Sequence, residues 1–153
     1  MSAKKSGGAL IGDNRKARHL YEYLETLEAG IVLTGPEVKS LRAGQVSFSD
    51  SYVEFRDGEA WILGLHIAPY SNAGYVVQNA DRPRKLLLHA HEIRIWAAKV
   101  EQKGLTVIPA KMYFHNGKIK VELALGRGRK LYDHRVELKK RAENRDMQRS
   151  LHE

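Results

Sequence analysis

Three short runs concentrate side chains able to engage a polyanion. The first, NRKARHLY at residues 14–21, gathers Asn14, Arg15, Lys16, Arg18, His19 and Tyr21. Lysine and arginine position phosphates, while asparagine, histidine and tyrosine can hydrogen-bond to bases or stack on them. The second run is RPRK at 82–85. The third is GRGRK at 126–130, where glycines such as Gly128 would let an RNA backbone approach and Arg127, Arg129 and Lys130 would supply ionic contacts. Each run alone fits a solvated basic face equally well. Three of them in one chain favour a nucleic-acid binder over a generic soluble domain.

Catalytic chemistry has no comparable anchor. The chain contains no GxGxxG, HExxH or GxSxG pattern and no P-loop. It contains no cysteine, which removes disulfides, thiolate metal sites and cysteine nucleophiles. HAHE, with His89, His91 and Glu92, resembles a metal motif. On a helix, side chains two positions apart diverge, and no second ligand cluster accompanies them, so no metal is expected. Asp133, His134 and Glu137 lie in a basic context without an apolar pocket to hold and tune an acid or base. No cofactor and no enzymatic activity are expected. Glu37 stands apart as an acid among basic neighbours. It fits a first-turn helix charge, an acceptor for RNA bases, or an anchor for a nearby basic side chain.

The elements that must position these groups read mainly as strands. Residues 1–12 are small, basic and glycine-containing, and are expected to be flexible. Ala17, Leu20, Tyr21, Leu24 and Leu27 fit helical spacing, yet the same stretch reads as entry into a strand. GPEVKSLRAG at 35–44 predicts a short helix stopped by Gly44. Asp57-Gly58 and Asn116-Gly117 each sit between apolar runs and predict tight hairpins. Residues 70–85 are rich in turn formers and read as a loop, and helical spacing from Leu87 to Val100 predicts a helix ending at Gly104. Phe48, Phe55, Trp61 and Trp96 are assigned to the core. This pattern suits a small, curved antiparallel sheet or barrel with two or three helices, with a ferredoxin-like sheet as the alternative.

Net charge is +8, from 26 lysines and arginines against 18 acids, and this favours an anionic partner without naming it. Charges interrupt every apolar run, so a soluble, cytoplasmic protein with no membrane partner is expected. The last 28 residues carry nine lysines and arginines against five acids. Their apolar stripe is narrow, and they are expected to order only against an anionic surface.

The order of NRKARHLY, EAGIVLTGPEVKSLRAG, LHIAPY, RKLLLHAHEI, KVEQKGLTVIPAKMYF and GRGRKLYDHR resembles the bacterial SmpB family of tmRNA-binding proteins, also called SsrA-binding proteins. The likeness runs from Asn14 through the tail. It implies an OB-like closed β-barrel with peripheral helices, spanning 13–130, that binds the tRNA-like domain of tmRNA (SsrA RNA) without catalysis. It also implies a basic tail, 131–153, that contacts the stalled 70S ribosome at the decoding centre and mRNA channel and orders there as a helix. By the same resemblance Asn14, Arg15, Lys16, Arg18, His19, Tyr21, Glu37, Arg127, Gly128, Arg129 and Lys130 serve RNA binding. Tyr132, Asp133, His134, Arg135, Lys139, Lys140, Arg141, Arg145 and Arg149 serve the ribosome. His134 replaces a lysine common in the family, exchanging a constant charge for one that titrates near neutrality. Elongation factor Tu would be met indirectly through alanyl-tmRNA, and the protein would act as a monomer. The alternative is a ribosome-associated structural or assembly factor without tmRNA specificity. A catalytic RNA-modifying protein ranks third.

Overall fold

The computed structural model describes residues 9–71, 74 and 78–129. Nine strands and three helices follow in the order β1 (Leu10–Asp13), α1 (Arg15–Leu20), β2 (Tyr21–Ile31), α2 (Gly35–Arg42), β3 (Val46–Ser47), β4 (Tyr52–Arg56), β5 (Glu59–Leu63), β6 (His66–Ile67), β7 (Arg84–Leu87), α3 (Ala90–Lys103), β8 (Thr106–His115) and β9 (Lys118–Gly128). The reading of a mainly β chain with peripheral helices holds. The strands run β8, β4, β5, β7, β2, β9, and β9 pairs back onto β8, so the sheet closes into a ring. All these pairings are antiparallel.

Local chemistry explains most element ends. Asp57 and Gly58 have φ of 53° and 75°, and Asn116 and Gly117 have φ of 53° and 75°, the left-handed pair that a two-residue hairpin turn requires. Helix α2 starts with a capping box in which the Glu37 N–H donates to Thr34 Oγ1 at 3.3 Å and the Thr34 N–H donates to Glu37 Oε1 at 2.8 Å. Gly104 ends α3 in the left-handed conformation, its N–H donating to the Val100 carbonyl.

Three expectations change. The open choice for 17–27 resolves as both: α1 stops at Leu20 and β2 begins at Tyr21, where pairing with β9 takes over the backbone hydrogen bonds. The segment from Leu87 is not the start of a helix. Arg84–Leu87 is a strand because β5 and β2 flank it and claim its peptide groups, and α3 begins at Ala90. Residues 10–12, assigned to a flexible N-terminus, lie in β1, which pairs with β8 through Gly12↔Met112 and Asp13↔Lys111.

The core fills the ring. Ile62, Leu65, Leu86, Val107, Met112, Val121, Leu123 and Leu125 are its buried centre, and Leu41 from α2 and Trp96 from α3 pack against it. Phe48 is buried as expected, whereas Trp61 and Phe55 are only half-buried. A second, smaller cluster lies on the outer face of the β8–β9 hairpin, where Ala17 meets Ile108, Ala110 and Ala124. Along β9 alternation turns Val121, Leu123 and Leu125 inward and Ala124 outward; along β8 the register shift between Pro109 and Lys111 lets Val107 and Met112 both face in while Ile108 and Ala110 face out, so the side chains beneath Ala17 include the small Ala110 and Ala124. Their size lets α1 lie close to the sheet, which is what positions the first basic run.

Candidate RNA-binding surface

Asn14 fixes α1. Its side-chain oxygen accepts from the Ala17 N–H at 3.1 Å, and its side-chain amide donates to the Pro109 carbonyl at 2.8 Å. Its own N–H donates to the Ala110 carbonyl at 2.8 Å. One residue therefore caps a six-residue helix and ties it to β8. Asn14, expected on the RNA-facing surface, is 4% exposed; its side chain is occupied internally and positions the residues after it.

Those residues face outward. Arg15, Lys16, Arg18 and His19 are all exposed. The register of β2 against β9 sets Tyr21 opposite Gly128, Glu22 opposite Arg127 and Tyr23 opposite Gly126. Past the last rung, the Arg129 N–H donates to the Leu20 carbonyl at 2.7 Å and Arg129 Nε to the Tyr21 carbonyl at 3.1 Å. The first and third basic runs, more than a hundred positions apart, thus form one surface.

The two glycines of the third run differ in role. A Cβ on Gly126 would lie 3.1 Å from Tyr21 Cβ and 3.2 Å from its ring, so Gly126 makes room for Tyr21. A Cβ on Gly128 would meet nothing within 4 Å, which leaves its backbone open to a ligand.

Several cations on this surface hold acidic neighbours that sequence reading did not single out. Lys16 pairs with Asp50 at 3.1 Å, Arg18 with Asp13, and Arg127 with Glu22 at 3.7 Å. Exposed pairs of this kind are worth about 0–1 kcal/mol, little enough for a phosphate to displace the carboxylate. No spacing signal marks Asp50, because only the fold brings it beside Lys16.

The second run does something else. Arg84 is fully buried, its guanidinium donating to Glu37 Oε2 at 2.7 Å, the Leu65 carbonyl at 2.8 Å and the Ala80 carbonyl at 3.0 Å. Arg82 donates to both oxygens of Glu37, at 2.6 and 3.0 Å. Lys85 pairs with Glu59 at 2.6 Å. Lys85 thus stays at the surface, whereas Arg82 and Arg84 of RPRK form an internal clamp. Glu37 is its centre: 8% exposed, with both oxygens committed, it orders basic side chains and has no carboxylate oxygen free for a base. Burial alone would raise the Glu37 pKa, but hydrogen bonds from Arg82, the Thr34 N–H and Arg84 outweigh it and hold the carboxyl below its ordinary value. Burial in turn lowers the Arg84 pKa, and Glu37 partly restores it.

The HAHE motif also departs from its expected geometry. His89 is the extended N-cap of α3, not a helical residue, so its ring stacks on that of His91 with centroids 5.6 Å apart. Glu92 is turned back to accept from the His89 N–H at 2.9 Å. Among the described residues no group of three or more His, Asp or Glu is placed to hold a metal ion, and no helix is long and apolar enough to cross a membrane.

Residues 11–153 match the family model described as SmpB protein. The chain belongs to the SmpB family. Among curated SmpB relatives, the SsrA-binding protein of Lawsonia intracellularis is 68% identical over 151 residues, covering 99% of this chain and 97% of the relative. That of Nitratidesulfovibrio vulgaris is 63% identical over 151 residues, covering 99% and 98%. That of Nostoc punctiforme is 55% identical over 152 residues, with the same coverage of 99% and 98%. A solved structure, described as "tmRNA-SmpB: a journey to the center of the bacterial ribosome", superposes with a TM-score of 0.68 at 55% identity and covers 81% of this chain and 87% of its own. Lys130 and the SmpB tail candidates Tyr132, Asp133, His134, Arg135, Lys139, Lys140, Arg141, Arg145 and Arg149 lie outside the described residues.

The positioning role of Asn14 predicts a stability effect. Asn14→Ala should destabilise the SmpB fold by about 1–3 kcal/mol, because it removes a helix cap and orphans the buried Pro109 carbonyl. Urea denaturation measures it. A change within 0.3 kcal/mol, paired with a large loss of RNA affinity, would instead identify Asn14 as a direct contact.

Proposed function

We propose that this protein binds the tRNA-like domain of tmRNA through the surface formed by α1 and the end of β9, and that residues 131–153 engage the decoding centre and mRNA channel of a stalled ribosome. The observation that carries the reading is the union of the first and third basic runs, which groups Arg15, Lys16, Arg18, His19, Arg127 and Arg129 around Tyr21 and the open backbone at Gly128. Phosphates would exchange for Asp13, Asp50 and Glu22, and His19 and Tyr21 offer faces and edges to bases. Membership in a family whose curated members are called SsrA-binding proteins supports the choice of RNA.

In this reading the protein is a noncatalytic, cytoplasmic factor of trans-translation. It acts as a monomer and meets elongation factor Tu through alanyl-tmRNA. Lys130 extends the basic run, and the segment from Tyr132 to Arg135 begins the ribosome-contacting tail. Competition binding tests the specificity. The full chain should prefer the tRNA-like domain of tmRNA to ribosomal RNA hairpins of matched length at the same salt. Equal binding to both, falling steeply with salt, would fit counterion release alone and support a ribosome-associated structural factor instead.

A further inference from the structure

Beside the basic surface lies a pocket of about 160 Å³ between α1 and the turn that leads into β4. Lys16, Tyr21, Asp50, Ser51, Tyr52 and Thr106 contribute to its walls. The volume is about half the lower bound for a drug-sized ligand site, enough for one small planar group.

The turn forming one wall is held in place. Ser49 takes a φ of 39°, in the left-handed region that a non-glycine residue adopts only under constraint. Beneath it Gly64 has φ of 76°, and a Cβ there would lie 3.2 Å from both the Asp50 carbonyl oxygen and Ser51 Cα. The turn therefore rests directly on the Gly64 backbone. Ser51, 5% exposed, is closed off beneath the turn, and its buried hydroxyl has no hydrogen-bond partner among the described residues.

The chemistry of the walls selects the guest. Lys16 lies at the mouth and is already paired with Asp50 at 3.1 Å, so an anion inside would face a carboxylate without a spare cation. The remaining polar groups carry no positive charge: the Asn14 amide, already bonded to Ala17 and Pro109, and the hydroxyls of serine, threonine and tyrosine; the aromatic surface comes from Tyr21 and from Tyr52, which is 43% exposed. A neutral, flat, hydrogen-bonding group with a phosphate attached outside satisfies all of these conditions.

We infer that this pocket receives the base of one unpaired nucleotide of the bound RNA, stacked against Tyr52, with Lys16 released from Asp50 to the adjoining phosphate. The inference rests on the RNA-binding reading above and adds to it a single-nucleotide subsite. Unpaired bases splayed onto aromatic side chains are the usual means by which proteins read folded RNA.

The test uses the full chain and the tRNA-like domain of tmRNA in which each unpaired nucleotide is replaced in turn by an abasic one. With the unaltered protein, one position should weaken binding roughly tenfold, the size of a lost base–aromatic stack. With Tyr52→Ala that same position should cost almost nothing, while the others keep their penalties. Tyr52 is exposed enough for this change to spare folding. Tyr52→Phe keeps the ring and should keep the full penalty at the same position. If every abasic penalty is the same in the unaltered protein and in Tyr52→Ala, the pocket inference falls and the RNA-binding reading stands. If the unaltered chain does not bind the intact RNA, both fall.

Discussion

Glu37→Ala is expected to destabilise the protein by about 3–5 kcal/mol, the cost of breaking a buried ion pair on one side. Arg84 has no exposed surface, and Glu37 is the carboxylate that balances it. Removing that carboxylate leaves a guanidinium buried with only the Leu65 and Ala80 carbonyls as acceptors. It also releases Arg82 and deletes half of the capping box of α2. A fall in the urea midpoint with unchanged slope would register the loss. Glu37→Gln keeps the shape and an acceptor and should cost less. Replacing the pair together, as Glu37→Ala with Arg84→Met, should cost less than the sum of the single changes, because no charge then remains buried.

The same clamp sets an acid limit. The folded-state pKa of Glu37 lies below the ordinary value of 4.5, so its contribution is complete above about pH 4.5 and is lost as pH falls through the depressed folded value. Glu37→Gln should remove that part of the acid dependence. A Glu37→Ala protein within 1 kcal/mol of the unaltered one would contradict the clamp.

The second large effect concerns the tail. Truncation after Lys130 is expected to leave binding of tmRNA's tRNA-like domain within a few-fold, while rescue of ribosomes lacking downstream mRNA falls to background. The cations of the proposed RNA surface lie at 15–19 and 127–129, before the cut, and their support comes from β2, β8 and β9. The removed residues carry Arg135, Lys139, Lys140, Arg141, Arg145 and Arg149, the basic groups assigned to the ribosome. Equal loss of binding and rescue would contradict a division of labour between ring and tail.

Features set by neighbouring residues were legible in the sequence. Asp57-Gly58 and Asn116-Gly117 announce their hairpins because few other pairs tolerate positive φ in succession. Gly44 and Gly104 mark helix ends for the same reason. The order of six motifs, apolar as well as basic, was enough to reach the family.

What distant register decides was not legible. RPRK has the composition of a solvated, phosphate-seeking run, and nothing local indicates that Glu37, 45 and 47 positions earlier, turns Arg82 and Arg84 inward. Asn14 offers the same lesson in reverse. It begins a basic run, yet a residue that caps a helix must turn its polar atoms back toward the backbone. The strand at 84–87 hid because its apolar residues also fit helical spacing, and only the two strands beside it decide the matter.

The absence of cysteine permits a direct test of where RNA sits. Glu22→Cys would place a unique thiol on the exposed β2 residue opposite Arg127, near the end of β9, and Lys118→Cys would place one at the other end of β9, where that strand begins. With a tethered iron chelate that generates hydroxyl radicals, the Glu22→Cys protein should cut the tRNA-like domain of tmRNA at a few adjacent nucleotides, and the Lys118→Cys protein should leave those nucleotides intact. Equal cutting from both positions, or stronger cutting from position 118, would contradict an RNA-binding surface built from α1 and the end of β9.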